Sequence, residues 1–138
     1  MSIEEEILRV NQTVAIVGLS ANPERPSNIV AVYLKEKGYK IIPVNPNEKE
    51  ILEETCYPAL SSIPGPVEVV DIFRRSEDVL PIAQEAVKIG AGVVWMQEGV
   101  INEAAAAYAG EAGLKVVMDK CMKKEHEKLD SGSRGSKL

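Results

Sequence analysis

Residues 13–28 read TVAIVGLSANPERPSN, and this stretch decides the fold. Val14-Ala15-Ile16-Val17 is a continuous apolar run that stops at Gly18. A short polar loop follows. From Ser27 to Lys37 apolar residues recur at helical spacing, with Ile29, Val30, Tyr33 and Leu34 forming one stripe. This order predicts a buried strand, a tight turn and a helix N-terminus. Such a helix start favours an anion in the loop, because its first amides have no intrahelical partner and its dipole is positive there. Ser27 is the expected N-cap, and Arg25 adds a positive charge beside it.

The same alternation continues outward from this unit. Glu4–Val10 is predicted to be a short leading helix. Gly38 closes the first stripe, Lys40–Val44 reads as a second strand, and Asn45-Pro46-Asn47 breaks it. Thr55–Ala59 is expected as a short edge strand, since Pro58 argues against a central position. Val67–Phe73 is the clearest buried strand and ends at Arg74-Arg75. Ser76 is expected to cap a helix over Glu77–Ile89. Gly92–Met96, Ile101–Ala112 and Lys115–Met118 then read as strand, helix and strand, and the polar segment Asp119–Leu129 contains a terminal helix. Strands without polar alternation imply a parallel sheet covered on both faces. The fold class is therefore α/β, a doubly wound parallel sheet of Rossmann type with helices on both faces and an expected strand order of 3-2-1-4-5-6. One domain over residues 1–130 and a flexible tail over 131–138 are expected. The ligand crevice falls where strand 1 meets strand 4, between the Gly18 loop and Phe73-Arg74-Arg75.

The chain has 138 residues, 45% hydrophobic and 27% charged, the balance of an ordinary globular domain. That length buries a core without disulfides or metal. A net charge of −5 excludes a general nucleic-acid or membrane binder, because phosphate surfaces need a basic face. A local cation cluster can still hold a small anion. Aromatics at 4% also argue against stacking on many bases. Cys56 and Cys121 are far apart and in no metal-ligating spacing, so no metal site is predicted. They read as reduced thiols of a cytoplasmic protein. The acidic start MSIEEEILRV is not a signal peptide, and no apolar run approaches the roughly 20 residues of a membrane span. The final Ser-Lys-Leu matches a peroxisomal address, but the preceding Gly/Ser run favours a plain flexible extension.

A nicotinamide dinucleotide site normally shows G-x-G-x-x-G and an acid at the end of the second strand. Here Gly18 is the lone glycine of its loop, and the second strand ends in Val44-Asn45-Pro46. No carboxylate stands ready for a ribose diol. The phosphate loop G-x-x-x-x-G-K-[ST] is absent as well. The loop instead offers Ser20, Asn22, Arg25, Ser27 and Asn28 as donors, and Arg74 and Arg75 bring charge suited to a phosphorylated ribose.

These residues resemble the small CoA-binding proteins with a Rossmann-type domain. A similar domain begins the alpha subunit of succinyl-CoA synthetase and the NDP-forming acyl-CoA synthetases. The resemblance rests on VGLSANPERPSN (17–28), PVNP (43–46), VVDIFRR (69–75), VWMQEGV (94–100) and VMDKC (117–121), in that order, and spans Asn11–Leu129. It implies that the Gly18 loop cradles the phosphates of coenzyme A. It also implies that Val44, Asn45 and Pro46 with Phe73 and Arg74 line the adenine and ribose-phosphate end. Trp95 reads either as core or as a pocket wall. Gln97, Glu98 and Gly99 lie at a strand's carboxyl end, where ligands bind in this architecture. Cys121 follows the last strand on the same edge, within the expected reach of a pantetheine thiol. Asp71, inside an apolar strand, is expected to be held by structural hydrogen bonds. Cys56 reads as structural, and His126, among lysines and glutamates, as part of a solvated helix face.

The expected function is reversible binding of coenzyme A or acyl-CoA by a cytoplasmic one-domain protein, as a carrier, a sensor or an accessory subunit of an unidentified partner or of further copies of itself. No catalytic residue is predicted. The related ligases need a phosphorylated histidine and a nucleotide-grasp domain, and His126 has the wrong setting. An NAD(P)-dependent enzyme or subunit remains an alternative, as does a regulatory interaction module with a vestigial pocket.

Overall fold

The computed structural model describes residues 1–135, with side chains through Ser131. In chain order its strands are β1 (Thr13–Val17), β2 (Lys40–Val44), β3 (Glu50–Ile51), β4 (Glu54–Thr55), β5 (Val69–Ile72), β6 (Val93–Met96) and β7 (Lys115–Val117). The helices are α1 (Ile3–Val10), α2 (Pro26–Glu36), α3 (Val79–Lys88), α4 (Glu103–Glu111) and α5 (Met122–Gly135). Five strands form one parallel sheet in the order β2-β1-β5-β6-β7, and β3 with β4 makes a separate antiparallel hairpin.

Strand parity sorts the core into two layers. Val14 and Ile16 pack on one face with Ile7 and Leu8 of α1, Val30 and Leu34 of α2 and Met122 of α5. Ala15 and Val17 pack on the other with Val79 and Ala83 of α3 and Ala105 and Ala109 of α4. Because both faces are covered, the strands carry continuous apolar runs, which is the doubly wound α/β fold read from the sequence. The chain leaves β1 toward β2 on one side and later enters β5 on the other, so the order reverses between β1 and β5.

Several local expectations are corrected. The third expected strand, Thr55–Ala59, does not form as such: Thr55 ends the β3–β4 hairpin, and Tyr57 makes one parallel bridge to Val44. Pro58 has no N–H to continue a ladder, so the outermost member of the expected order is missing and the rest stands. Ser27 does not cap α2. Pro26 takes the first helical position, and Arg25 occupies the cap without a side-chain bond. Ser76 does not cap α3 either. It opens a single 3-10 turn, and its hydroxyl accepts from the Ile101 amide at 2.9 Å. The last helix, α5, is drawn to Gly135, and the end of the expected tail, residues 136–138, lies outside the described residues.

His126 is not on a solvated face. Its Nδ1 lies 2.9 Å from the Tyr33 hydroxyl, and its ring packs edge-on against Tyr33 and Tyr39 at 5.5 and 5.7 Å. Burial holds its pKa below the usual histidine range. Tyr39 donates to the Leu8 carbonyl at 2.6 Å, and burial pushes its pKa up to about 12. This cluster ties α5 to the face formed by α1 and α2.

Candidate functional site

At the reversal point the carboxyl ends of β1 and β5 open into a crevice of about 700 Å³. The sequence-predicted residues that line it are Gly18, Ser20, Arg25, Ser27, Phe73, Arg74, Arg75, Gln97 and Cys121. Its floor is backbone. Gly18 has φ +87°, and a Cβ there would sit 2.3 Å from the Phe73 carbonyl oxygen and 3.0 Å from Arg74 Cδ. The Gly18 amide donates to the Val44 carbonyl, and the Phe73 amide to the Val17 carbonyl, each at 2.9 Å. The glycine is thus required by close approach of two loops as well as by turn geometry.

The loop after Gly18 is held by the first turn of α2. Ser27 Oγ accepts from the Ser20 amide, and Asn28 Nδ2 donates to the Ser20 carbonyl, both at 2.9 Å. Ser20 Oγ accepts from the Asn22 amide at 3.1 Å, and Asn22 Oδ1 accepts from the Glu24 amide at 2.9 Å. Asn45 Nδ2 donates to the Leu19 carbonyl at 3.0 Å. These polar side chains shape the loop, and the Ser20 and Ser27 hydroxyls, which act only as acceptors in these bonds, keep an O–H to donate into the crevice alongside backbone and arginine.

Three cations border the crevice. Arg74 and Arg75 share Asp78, at 3.6 and 3.2 Å, while Arg25 forms no ion pair among the described residues. The bordering acid, Glu98, is paired with Lys124 at 2.9 Å, and that hydrogen bond raises the Lys124 pKa. Moving across the strand ends, the lining changes from arginines beside β1 and β5 to Gln97 and the Lys124-paired Glu98 after β6 and Cys121 after β7. Such a gradient suits an elongated ligand with an anionic part and a neutral part.

Other predicted residues lie elsewhere. Trp95 is fully buried in the core, and its Nε1 donates to the Lys120 carbonyl at 2.8 Å, so it is no pocket wall. Asn22, Asn28, Val44, Asn45, Pro46 and Gly99 do not line the crevice. Gly99 instead donates its amide to Asp119 Oδ1 at 2.7 Å. Asp71 has none of its expected partners: both carboxyl oxygens are sealed and without a hydrogen bond. Burial holds its pKa well above the usual carboxylate range, against a smaller opposing pull from the Ile72 amide. Cys56 is buried, its thiol faces the Asn45 carbonyl at 3.4 Å, and burial pushes its pKa up.

Pro26, Val30 and Val100 also line the crevice and were not singled out as site residues. For Val30 a signal existed, since it belongs to the apolar stripe of α2 at the end nearest the loop. Val100 follows the Gly99 turn, and only the folded arrangement brings it to the edge. Among the described residues there is no cluster of metal-ligating side chains, and no helix is long and apolar enough to cross a membrane.

A model of the CoA binding domain family matches residues 12–127. The chain is 41% identical over 122 residues to the uncharacterized protein YneT of Bacillus subtilis (strain 168), covering 88% of this chain and 90% of that one. It is 34% identical over 95 residues to the ADP-forming acetate–CoA ligase II of Archaeoglobus fulgidus, which is 67% of this chain but 14% of the ligase. The solved structure of a hypothetical protein from Pyrococcus horikoshii OT3 superposes with a TM-score of 0.89 at 44% identity, covering 91% of this chain and 89% of that one.

Proposed function

The chain belongs to the CoA binding domain family, and on that premise we propose that it binds coenzyme A or an acyl-CoA reversibly in the crevice between β1 and β5, as a cytoplasmic carrier, sensor or accessory subunit. One observation carries this reading. The contact of Gly18 with the Phe73 carbonyl leaves a side-chain-free floor at the start of α2, ringed by Arg25, Arg74 and Arg75. A diphosphate can lie on such a floor against amides and guanidiniums. In this reading the adenine and ribose-phosphate end lies toward Val44, Asn45 and Pro46, whose segment holds the loop through Asn45. The absence of an acid after β2 disfavours a nicotinamide dinucleotide. The name of the Archaeoglobus relative joins acetate and CoA, which fits, but the matched part is a small fraction of that ligase and its activity is not carried over.

Calorimetric titration of the purified protein with CoA, NAD and NADP tests the proposal. CoA binding without NAD or NADP binding is the expected result, and the reverse pattern overturns it. Arg25→Ala is expected to weaken CoA by roughly tenfold or more, the weight of one charge-assisted hydrogen bond. Arg25 is exposed and has no ion-pair partner among the described residues, so circular dichroism should be unchanged. Parental affinity in that variant would remove Arg25 from the site.

Cys121 is half-buried and lines the crevice, whereas Cys56 is buried away from it. With CoA disulfide, the Cys121 thiolate should attack one sulfur of the reagent. A Cys121–CoA mixed disulfide forms, the S–S bond of the reagent breaks, and one CoA thiolate leaves and takes up the proton lost by Cys121. Peptide mass mapping should find the adduct on Cys121. A modification confined to Cys56, or none, would make Cys121 a packing residue.

A further inference from the structure

Gln97 stands apart from the other groups of the crevice. Its residue is 4% exposed, yet it lines the cavity. The Met122 amide, which can only donate, lies 3.1 Å from Oε1, and this fixes the orientation of the side-chain amide. Nε2 then has no hydrogen-bond partner among the described residues. It is not sealed either, because among the described residues the sealed side-chain nitrogen and oxygen atoms without partners are the two of Asp71. The open space that Gln97 borders is the crevice, so a buried, oriented N–H donor faces that cavity. It does so at the end away from the arginines, beside the Lys124-paired Glu98 and beside Cys121, the residue that precedes Met122.

We infer that Gln97 donates to the thioester carbonyl of an acyl-CoA, so that this site takes acyl-CoA in preference to CoA or its thioethers. The inference rests on the CoA reading of the crevice. An unpaired buried amide donor loses its water without recompense unless a ligand carbonyl meets it. The arginines hold the phosphates at the β1 and β5 end, and the acyl end of the same molecule is what extends toward β6 and β7. A free thiol or a thioether offers Nε2 only a weak sulfur acceptor.

The test compares CoA, acetyl-CoA and S-ethyl-CoA, the last keeping the acyl shape without its carbonyl oxygen. Calorimetry on the full chain is expected to show acetyl-CoA about tenfold tighter than S-ethyl-CoA, as one added hydrogen bond predicts. Gln97→Glu keeps an oxygen for the Met122 amide but removes the N–H donor, so it should erase or invert that gap while thermal unfolding confirms a folded protein. Equal affinities of the wild type for acetyl-CoA and S-ethyl-CoA would overturn the inference and leave CoA binding standing. An equal loss for all three ligands in Gln97→Glu would overturn it too, assigning Nε2 to a pantetheine amide. Failure of all three to bind the wild type would instead sink the CoA reading itself.

Discussion

Gly18→Ala is expected to abolish CoA binding and to remove a large part of the folding stability. Two separate penalties act at this position. A residue with a Cβ held at φ +87° costs roughly 1–2 kcal/mol in backbone conformation. The added methyl also lands 2.3 Å from the Phe73 carbonyl oxygen. That oxygen is backbone, so no rotamer change relieves the overlap, and the two loops must separate at a cost of roughly 1–3 kcal/mol. Together this is about 2–5 kcal/mol, set against the 5–15 kcal/mol that holds a typical domain folded. Gly38 supplies the control, because it has φ +97° with open space around its would-be Cβ. Urea unfolding should show Gly18→Ala losing more than Gly38→Ala by about the overlap term. Equal losses would mean that the close approach of the loops is unimportant. Only Gly18→Ala should lose CoA, since only there does a methyl occupy the floor meant for the diphosphate.

Replacing Asp71 with Val is expected to stabilise the protein, in contrast to most changes at fully buried positions. Asp71 sits on β5 between Ile16 of β1 and Trp95 of β6, with no hydrogen-bond partner for either oxygen. An unsatisfied buried polar group costs about 1–3 kcal/mol. Valine fills a similar volume, suits a strand and needs no partner. The gain should grow with pH. In the folded chain burial raises the Asp71 pKa well above its usual value, while the unfolded chain releases the proton near pH 4. Below about pH 4 both states are protonated and Asp71 carries no ionisation penalty. Above it the unfolded state binds fewer protons, so wild-type stability falls with rising pH until the folded pKa is passed. Unfolding curves at pH 4, 6 and 8 should show the advantage of Asp71→Val widening from the lowest value upward. A constant difference over that range would show that Asp71 does not titrate as a sealed, unpaired acid.

The layered plan of the fold was legible in local sequence. The continuous apolar run Val14–Val17 fits a strand buried on both sides, as does Val67–Phe73, interrupted only by Glu68 and Asp71, and Gly18, Gly38 and Asn45-Pro46 mark where a strand, a helix and a second strand end. The crevice was legible for the same reason, since a reversal of strand order follows from which elements are strands. What failed to read were matters of reach. Ser27 and Ser76 have the chemistry of helix caps, but Ser20 and Ile101 supply amides that only the folded loops bring near. His126 has charged neighbours in sequence, yet its ring faces two tyrosines from other parts of the chain.

Trp95 and Gln97 show where the division falls. They stand two positions apart, Trp95 in β6 and Gln97 just after it; the sequence alone left Trp95 as core or pocket wall and placed Gln97 at the ligand-bearing edge. Trp95 is in register with Asp71 and Val117, beneath the sheet edge, and is core. Gln97 is one row further on, where the strands end and the crevice begins. By itself the sequence determined the α/β class, the parallel sheet and the turn that needs Gly18, because each depends on the backbone and on neighbours within a few residues. Only the tertiary structure decided which side chains reach the crevice, that Asp71 is left without a partner and that the Gln97 amide is free to donate, because each of these is set by the register between strands and by helices that pack from distant parts of the chain.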